Sequence, residues 1–153
     1  MTKSKVESIF WSIAMPGLPQ LLNGRLLKGI LFIGLAITIN IQSHLNTILL
    51  LSFQGMVEEA IKQTNYQWLM FYPCLYFFSM WDAYKDADEE NSPLTFLPSV
   101  FSAYFVTVGV MYSSTFTIKG VLLGPLWLPV LCSLIGLLVG LVIKKGIIST
   151  RKN

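Results

Sequence analysis

The side chains able to do chemistry are few, and they fall into three groups. The first lies in MPGLPQLLNGRLLKG, Met15 to Gly29, where Gln20, Asn23, Arg25 and Lys28 gather amide and cationic groups beside Pro16, Pro19 and the Asn23-Gly24 pair. The prolines restrict the backbone, Asn-Gly accepts positive φ, and the two cations can reach phosphates, so this stretch is a compact reversal. It serves as a membrane-boundary hairpin or as a contact for a lipid headgroup or a partner. The second group is WDAYKDADEE, Trp81 to Glu90, in which Asp82, Asp86 and Glu89 or Glu90 recur at helical spacing. Such a carboxylate face coordinates a divalent cation, docks a basic partner, or is simply the solvated end of a helix. Asp82, closest to the apolar run before it, is the leading candidate.

The third group is Asn40, His44 and Thr47, whose i, i+4, i+7 spacing puts them on one face of a continuous helix. Buried in hydrocarbon they must find partners, which admits helix-helix hydrogen bonding, a proton or ion relay at His44, or an earlier helix end that leaves His44 in water. None of the three groups assembles a nucleophile, a base and an orienting residue, and neither a zinc-binding HExxH nor a phosphate-cradling glycine loop is present. The expectation is a protein that is not an enzyme, with no catalytic residue, cofactor or metal site. Cys74 and Cys132 lie in apolar runs, where a thiol behaves as a small hydrophobe, so no disulfide is expected.

The elements that carry these groups follow from composition. Of 153 residues 54% are hydrophobic and only 12% charged, against about 25% charged in ordinary soluble domains. The stretch Val121 to Ile143 has no charged side chain and stops at Lys144-Lys145, long enough to cross a bilayer as one helix. A net charge of +3 is modest and does not point to nucleic acid. Five apolar segments can be drawn, residues 8–22, 29–50, 66–81, 93–112 and 121–143. The first is cut by Pro16, Gly17 and Pro19 and is read as interfacial or re-entrant. Lys3 and Lys5 before it suggest a signal peptide, but Glu7, the prolines and the lack of a small-x-small site argue that it is retained.

If the last four segments span, Lys3, Lys5, Arg25, Lys28, Lys85, Lys144, Lys145, Arg151 and Lys152 share one side and only Lys62 and Lys119 lie opposite. By the excess of basic residues in cytoplasmic loops, both termini are then cytoplasmic. The expected fold is an all-α polytopic membrane helical bundle, a single domain of four spanning helices plus the N-terminal segment. Pro73 is expected to kink the third segment, and Gly136 and Gly140 form a GxxxG whose first use is packing within the chain.

Pro16, Gly17, Gln20, Gly24 and Gly29, followed by an apolar helix, form a pattern that resembles the hairpin opening of small bacterial membrane proteins related to the two-transmembrane (TM-two) domain, usually close to PGxGQxYxGxxxKG. The resemblance covers residues 8–40; Pro19 stands where the family commonly has Gly, and Leu22 where it commonly has an aromatic. It implies a multi-pass bacterial cell-membrane protein and no catalytic residues. The expected function is an accessory, scaffold or immunity-type protein whose partners are the bilayer and a membrane protein or its own copies, through Gln20, Asn23, Arg25, Lys28, Asp82 and Asp86. The alternative is a small ion or solute channel using Asn40, His44 and Thr47.

Overall fold

The computed structural model describes residues 5–87 and 93–152. Among them the chain forms nine helices and one small hairpin: α1 (Lys5–Ala14), α2 (Leu18–Leu22), α3 (Leu26–Ser43), α4 (Leu45–Phe53), α5 (Val57–Gln63), α6 (Tyr66–Leu69), α7 (Phe71–Asp86), α8 (Leu97–Tyr112), β1 (Thr117–Ile118), β2 (Val121–Leu122) and α9 (Gly124–Lys152). The protein is all-α apart from that hairpin. Thr117 pairs with Leu122 and Ile118 with Val121, and the two-residue turn places Lys119 and Gly120 at φ 51° and 81°, the paired positive values that match strand twist.

Two helices, α3 and α9, are long and apolar enough to cross a membrane. With 29 residues, α9 extends about 44 Å, past the roughly 30 Å of a hydrocarbon core. Helices α7 and α8 have 16 residues each, about 24 Å, short of the roughly 20 residues a straight crossing uses. By length and composition, α3 and α9 are thus the two candidate crossings among the described residues.

The segment read as one helix over 29–50 is two. His44 stands between α3 and α4 in the left-handed conformation, φ 61°, and its Nδ1 lies 2.9 Å from the carbonyl oxygen of Gln63. A left-handed residue cannot continue a right-handed helix. The third segment is also divided, α6 ending at Leu69 and α7 starting at Phe71. The interruption falls one turn before Pro73, which has no N–H to give to the Leu69 carbonyl, so the disruption expected of this proline takes the form of a break that leaves Pro73 in the first turn of α7. Helix α9 starts at Gly124 rather than Val121, because Val121 and Leu122 belong to the hairpin. Residues 57–63, outside all five expected segments, form α5, whose Ala60 joins Ile48, Leu69 and Val110 in a buried apolar cluster.

The tightest seam joins α8 to α9. A Cβ at Gly136 would lie 2.6 Å from the Phe101 carbonyl oxygen and 2.7 Å from Ser102 Cα, and one at Gly140 would lie 2.6 Å from Pro98 Cα. The GxxxG thus brings two backbones of the same chain together, the use anticipated for it. Near the other end, a Cβ at Gly109 would meet Cys132 Sγ at 2.9 Å and Pro129 Cα at 3.0 Å, so α8 and α9 run antiparallel. Lys28, Asp82 and Lys144 consequently mark one end of the long helices, and His44, α5 and Lys119 the other.

Gly136→Leu is expected to lower the midpoint of thermal unfolding in detergent by an amount equivalent to about 1–3 kcal/mol, because the obstructing atoms are backbone. Gly146 has nothing within 4 Å of its would-be Cβ, so Gly146→Leu should stay within about 0.5 kcal/mol of the parent. Equal effects from the two substitutions would refute the seam.

Candidate functional site

The three groups of polar residues come together very differently. The N-terminal one is a clasp. Helix α1 runs about 15 Å over its ten residues and is pinned to α7 where the Tyr76 hydroxyl donates to the Ile13 carbonyl at 2.9 Å, one of the carbonyls left open at a helix end. The chain then reverses at Pro16-Gly17. Gly17 has φ 94°, and a Cβ there would sit 2.7 Å from the Gly29 carbonyl oxygen and 2.9 Å from Phe32 Cβ. Both the backbone conformation and the space require glycine. Its N–H donates to Ser79 Oγ at 3.0 Å, so the reversal is sealed by a side chain of α7. Helix α2 returns from there toward the Lys28 end, and α3 follows it.

Gln20, on α2, is fully buried. Its Nε2 donates to the Ser79 carbonyl oxygen at 3.0 Å and to Asp82 Oδ2 at 3.1 Å. Both neighbours are acceptors, which settles the orientation of the amide; Oε1 is left buried without a partner. The other oxygen of Asp82 receives Lys28 Nζ at 2.7 Å. One turn on, Arg25 Nε lies 2.9 Å from Asp86 Oδ2, a close ion contact without hydrogen-bond alignment that leaves this buried oxygen with no hydrogen-bond donor. Asp82 is only 9% exposed, and a carboxylate there is tolerable because a cation and an amide meet it from the same partner hairpin. Lys28, its side chain 45% exposed, supplies the charge while its head stays near solvent.

Local sequence explains the match. Ser79, Asp82 and Asp86 follow i, i+3, i+7 spacing and share one face of α7, while Arg25 and Lys28 are three apart at the start of α3. Because α3 and α7 run antiparallel, the earlier cation meets the later carboxylate. Asn23 stays outside the clasp; it is exposed and ends α2 through its backbone N–H to the Pro19 carbonyl at 2.9 Å. Ser79 is the participant that sequence reasoning missed, and its spacing from Asp82 was the available signal. Glu89 and Glu90 lie outside the described residues.

The second polar set is divided by the break at His44. Asn40 Nδ2 donates to Asn46 Oδ1 at 3.2 Å, His44 reaches Gln63, and Thr47 is exposed. A chamber of about 320 Å³ adjoins this pair, lined by Asn40, Asn46, Tyr72 and the Met15-Pro16 tip of the N-terminal reversal. Cys74 and Cys132 are free thiols. Among the described residues no three His, Cys, Asp or Glu side chains gather as ligands for a metal ion.

Comparison with protein-family models, curated proteins and solved structures yields no match.

The clasp sets an order of effects. Gln20→Leu leaves an Asp82 oxygen without its amide donor and takes from the Ser79 carbonyl the second donor it has beside its helical one, and should cost about 1–3 kcal/mol in a denaturant titration followed by tryptophan fluorescence. Arg25→Gln, at a pair whose Arg side chain is 51% exposed, should cost less than about 1 kcal/mol. A reversed order would show that the buried amide does not hold the hairpin.

Proposed function

We propose that this protein is a non-enzymatic integral membrane protein of the bacterial cell membrane. In this reading it has four spanning helical passes and a re-entrant N-terminal hairpin, and acts as an accessory or scaffold beside a membrane-protein partner or a further copy of itself. The observation that carries the reading is the clasp. The amide, the cations and the carboxylates most capable of chemistry neutralise one another between the hairpin and α7, whereas α9 turns Leu131, Leu134, Leu138 and Val142 outward. Polar capacity is spent inside, and the surface left for association is apolar.

Four passes are supported by the antiparallel succession of α3, α7, α8 and α9, in which α7 is preceded by the short helix α6 and α8 by the turn at residues 93–96. Lys28 and Lys144 fall at one end and Lys62 and Lys119 at the other, consistent with a cytoplasmic Lys28 end. The re-entrant character of residues 8–22 is supported by the reversal at Gly17, whose backbone polar groups are met within the protein, the condition for irregular backbone at membrane depth. The partial likeness to the TM-two hairpin accords with this, since its Gln and Gly positions are the ones at work in the clasp. A second reading, a solute path, draws on the mixed-polarity chamber at Asn40 and Asn46; flux through proteoliposomes that falls with Asn40→Leu would favour it.

Topology is tested by single cysteines in a background lacking Cys74 and Cys132. Lys119→Cys should react with a membrane-impermeant maleimide in intact cells, and Lys145→Cys only after permeabilisation; labelling of both from one side would defeat the four-pass arrangement. For the accessory role, a photocrosslinker at Leu138 in native membranes should give one reproducible protein adduct. Adducts to lipid alone at that position would count against it.

A further inference from the structure

Helices α7 and α9 each pack on α8 but diverge from one another, and the gap between them is apolar. Its part toward the Lys28 end has a volume of about 440 Å³ and is lined by Ile9, Phe77, Met80, Leu134 and Leu137, with Lys144 at one extremity. We infer that this crevice seats one anionic phospholipid of the leaflet on the Lys28 side, an acyl chain lying between α7 and α9 and the phosphate paired with Lys144. The site rests on the membrane topology proposed above.

Three observations lead there. The first is length. Ser133 and Lys144 bound the crevice along α9, and eleven residues of helix rise about 16 Å, half of a hydrocarbon core of roughly 30 Å, which is the depth of one leaflet. The second is width. A volume of about 440 Å³ over that length gives a cross-section of roughly 27 Å², room for one hydrocarbon chain, whereas a helix with its side chains is about 10–12 Å across. A whole helix therefore does not fit inside the slot, and left empty it would forfeit the dispersion contacts that an acyl chain restores.

The third observation is charge. Lys144 is half-buried, and among the described residues it has no carboxylate partner, unlike Arg25, Lys28 and Lys62. It sits where α9, charge-free from Gly124 to Ile143, reaches its first cation. An ammonium at that depth, above an apolar slot, is complementary to an anionic headgroup whose tail occupies the slot.

Trp81 lines the crevice and reports on it. In protein whose other tryptophans are replaced (Trp11→Phe, Trp68→Phe, Trp127→Phe), reconstituted in phosphatidylcholine vesicles, acyl-brominated phosphatidylglycerol should quench Trp81 at about fivefold lower mole fraction than acyl-brominated phosphatidylcholine. Lys144→Gln should abolish that preference while leaving quenching by both lipids. Equal quenching by the two lipids in the parent would overturn the site but leave membrane insertion standing; no quenching by either would overturn insertion itself. A preference that survives Lys144→Gln, or one erased by inorganic phosphate, would also overturn the assignment. A photocrosslinker at Leu137 in native membranes should capture phospholipid, and capture of a polypeptide there would replace the lipid by a protein occupant.

Discussion

Asp82 is a carboxylate set in the wall of an apolar helix, and most of what surrounds it is arranged to make that tolerable. Taking an ion out of water costs several kcal/mol unless charge and hydrogen bonds are restored. Here Lys28 restores the charge and Gln20 supplies the hydrogen bond, from two elements that reach α7 only because the chain reverses twice between Ile13 and Leu26. The position of α3 against α7 and the return of α2 both serve that one buried group, and the return is possible because Gly17 takes φ 94° where a Cβ would meet the Gly29 carbonyl oxygen. Phe32 against Phe78, ring centroids 5.9 Å apart, packs the same contact on its apolar side.

The other side of the molecule is governed by the absence of side chains. At Gly109, Gly136 and Gly140 the backbones of α8 and α9 approach until a single methyl would collide. Close approach of that kind holds α9 on α8, whereas α7 packs on α8 without a comparable approach to α9. The crevice is the geometric remainder of a tight seam beside a loose one. Clasp and seam thus divide the work: polar groups register the hairpin on α7, and small residues register α9 on α8.

Much of the fold is legible from residue order. The helical character, the apolar segments and the reversal at Pro16-Gly17 follow from composition, periodicity and turn chemistry, which act over a few residues. The break at His44 is less legible. The polar run Asn40 to Asn46 hints at it, but the left-handed residue is held by a carbonyl nineteen positions away, at Gln63. Helix α5 was hidden because seven residues with one buried position, Ala60, leave little periodic signal. The break before α7 is local in origin, since Pro73 has no N–H for the carbonyl of Leu69.

The candidate site shows the same division. Gln20, Arg25, Lys28, Asp82 and Asp86 could each be picked out by residue type and by position beside an apolar run, because a polar group at such a boundary needs a partner wherever the chain goes. Sequence alone determined that requirement, and with it the helix content and the spacing that puts Ser79, Asp82 and Asp86 on one face. It could not say that the two groups, more than fifty residues apart, would satisfy each other rather than an outside partner. That pairing was decided by tertiary structure, since it exists only when α7 lies antiparallel to α3 and the hairpin between Gly17 and Lys28 is closed against it.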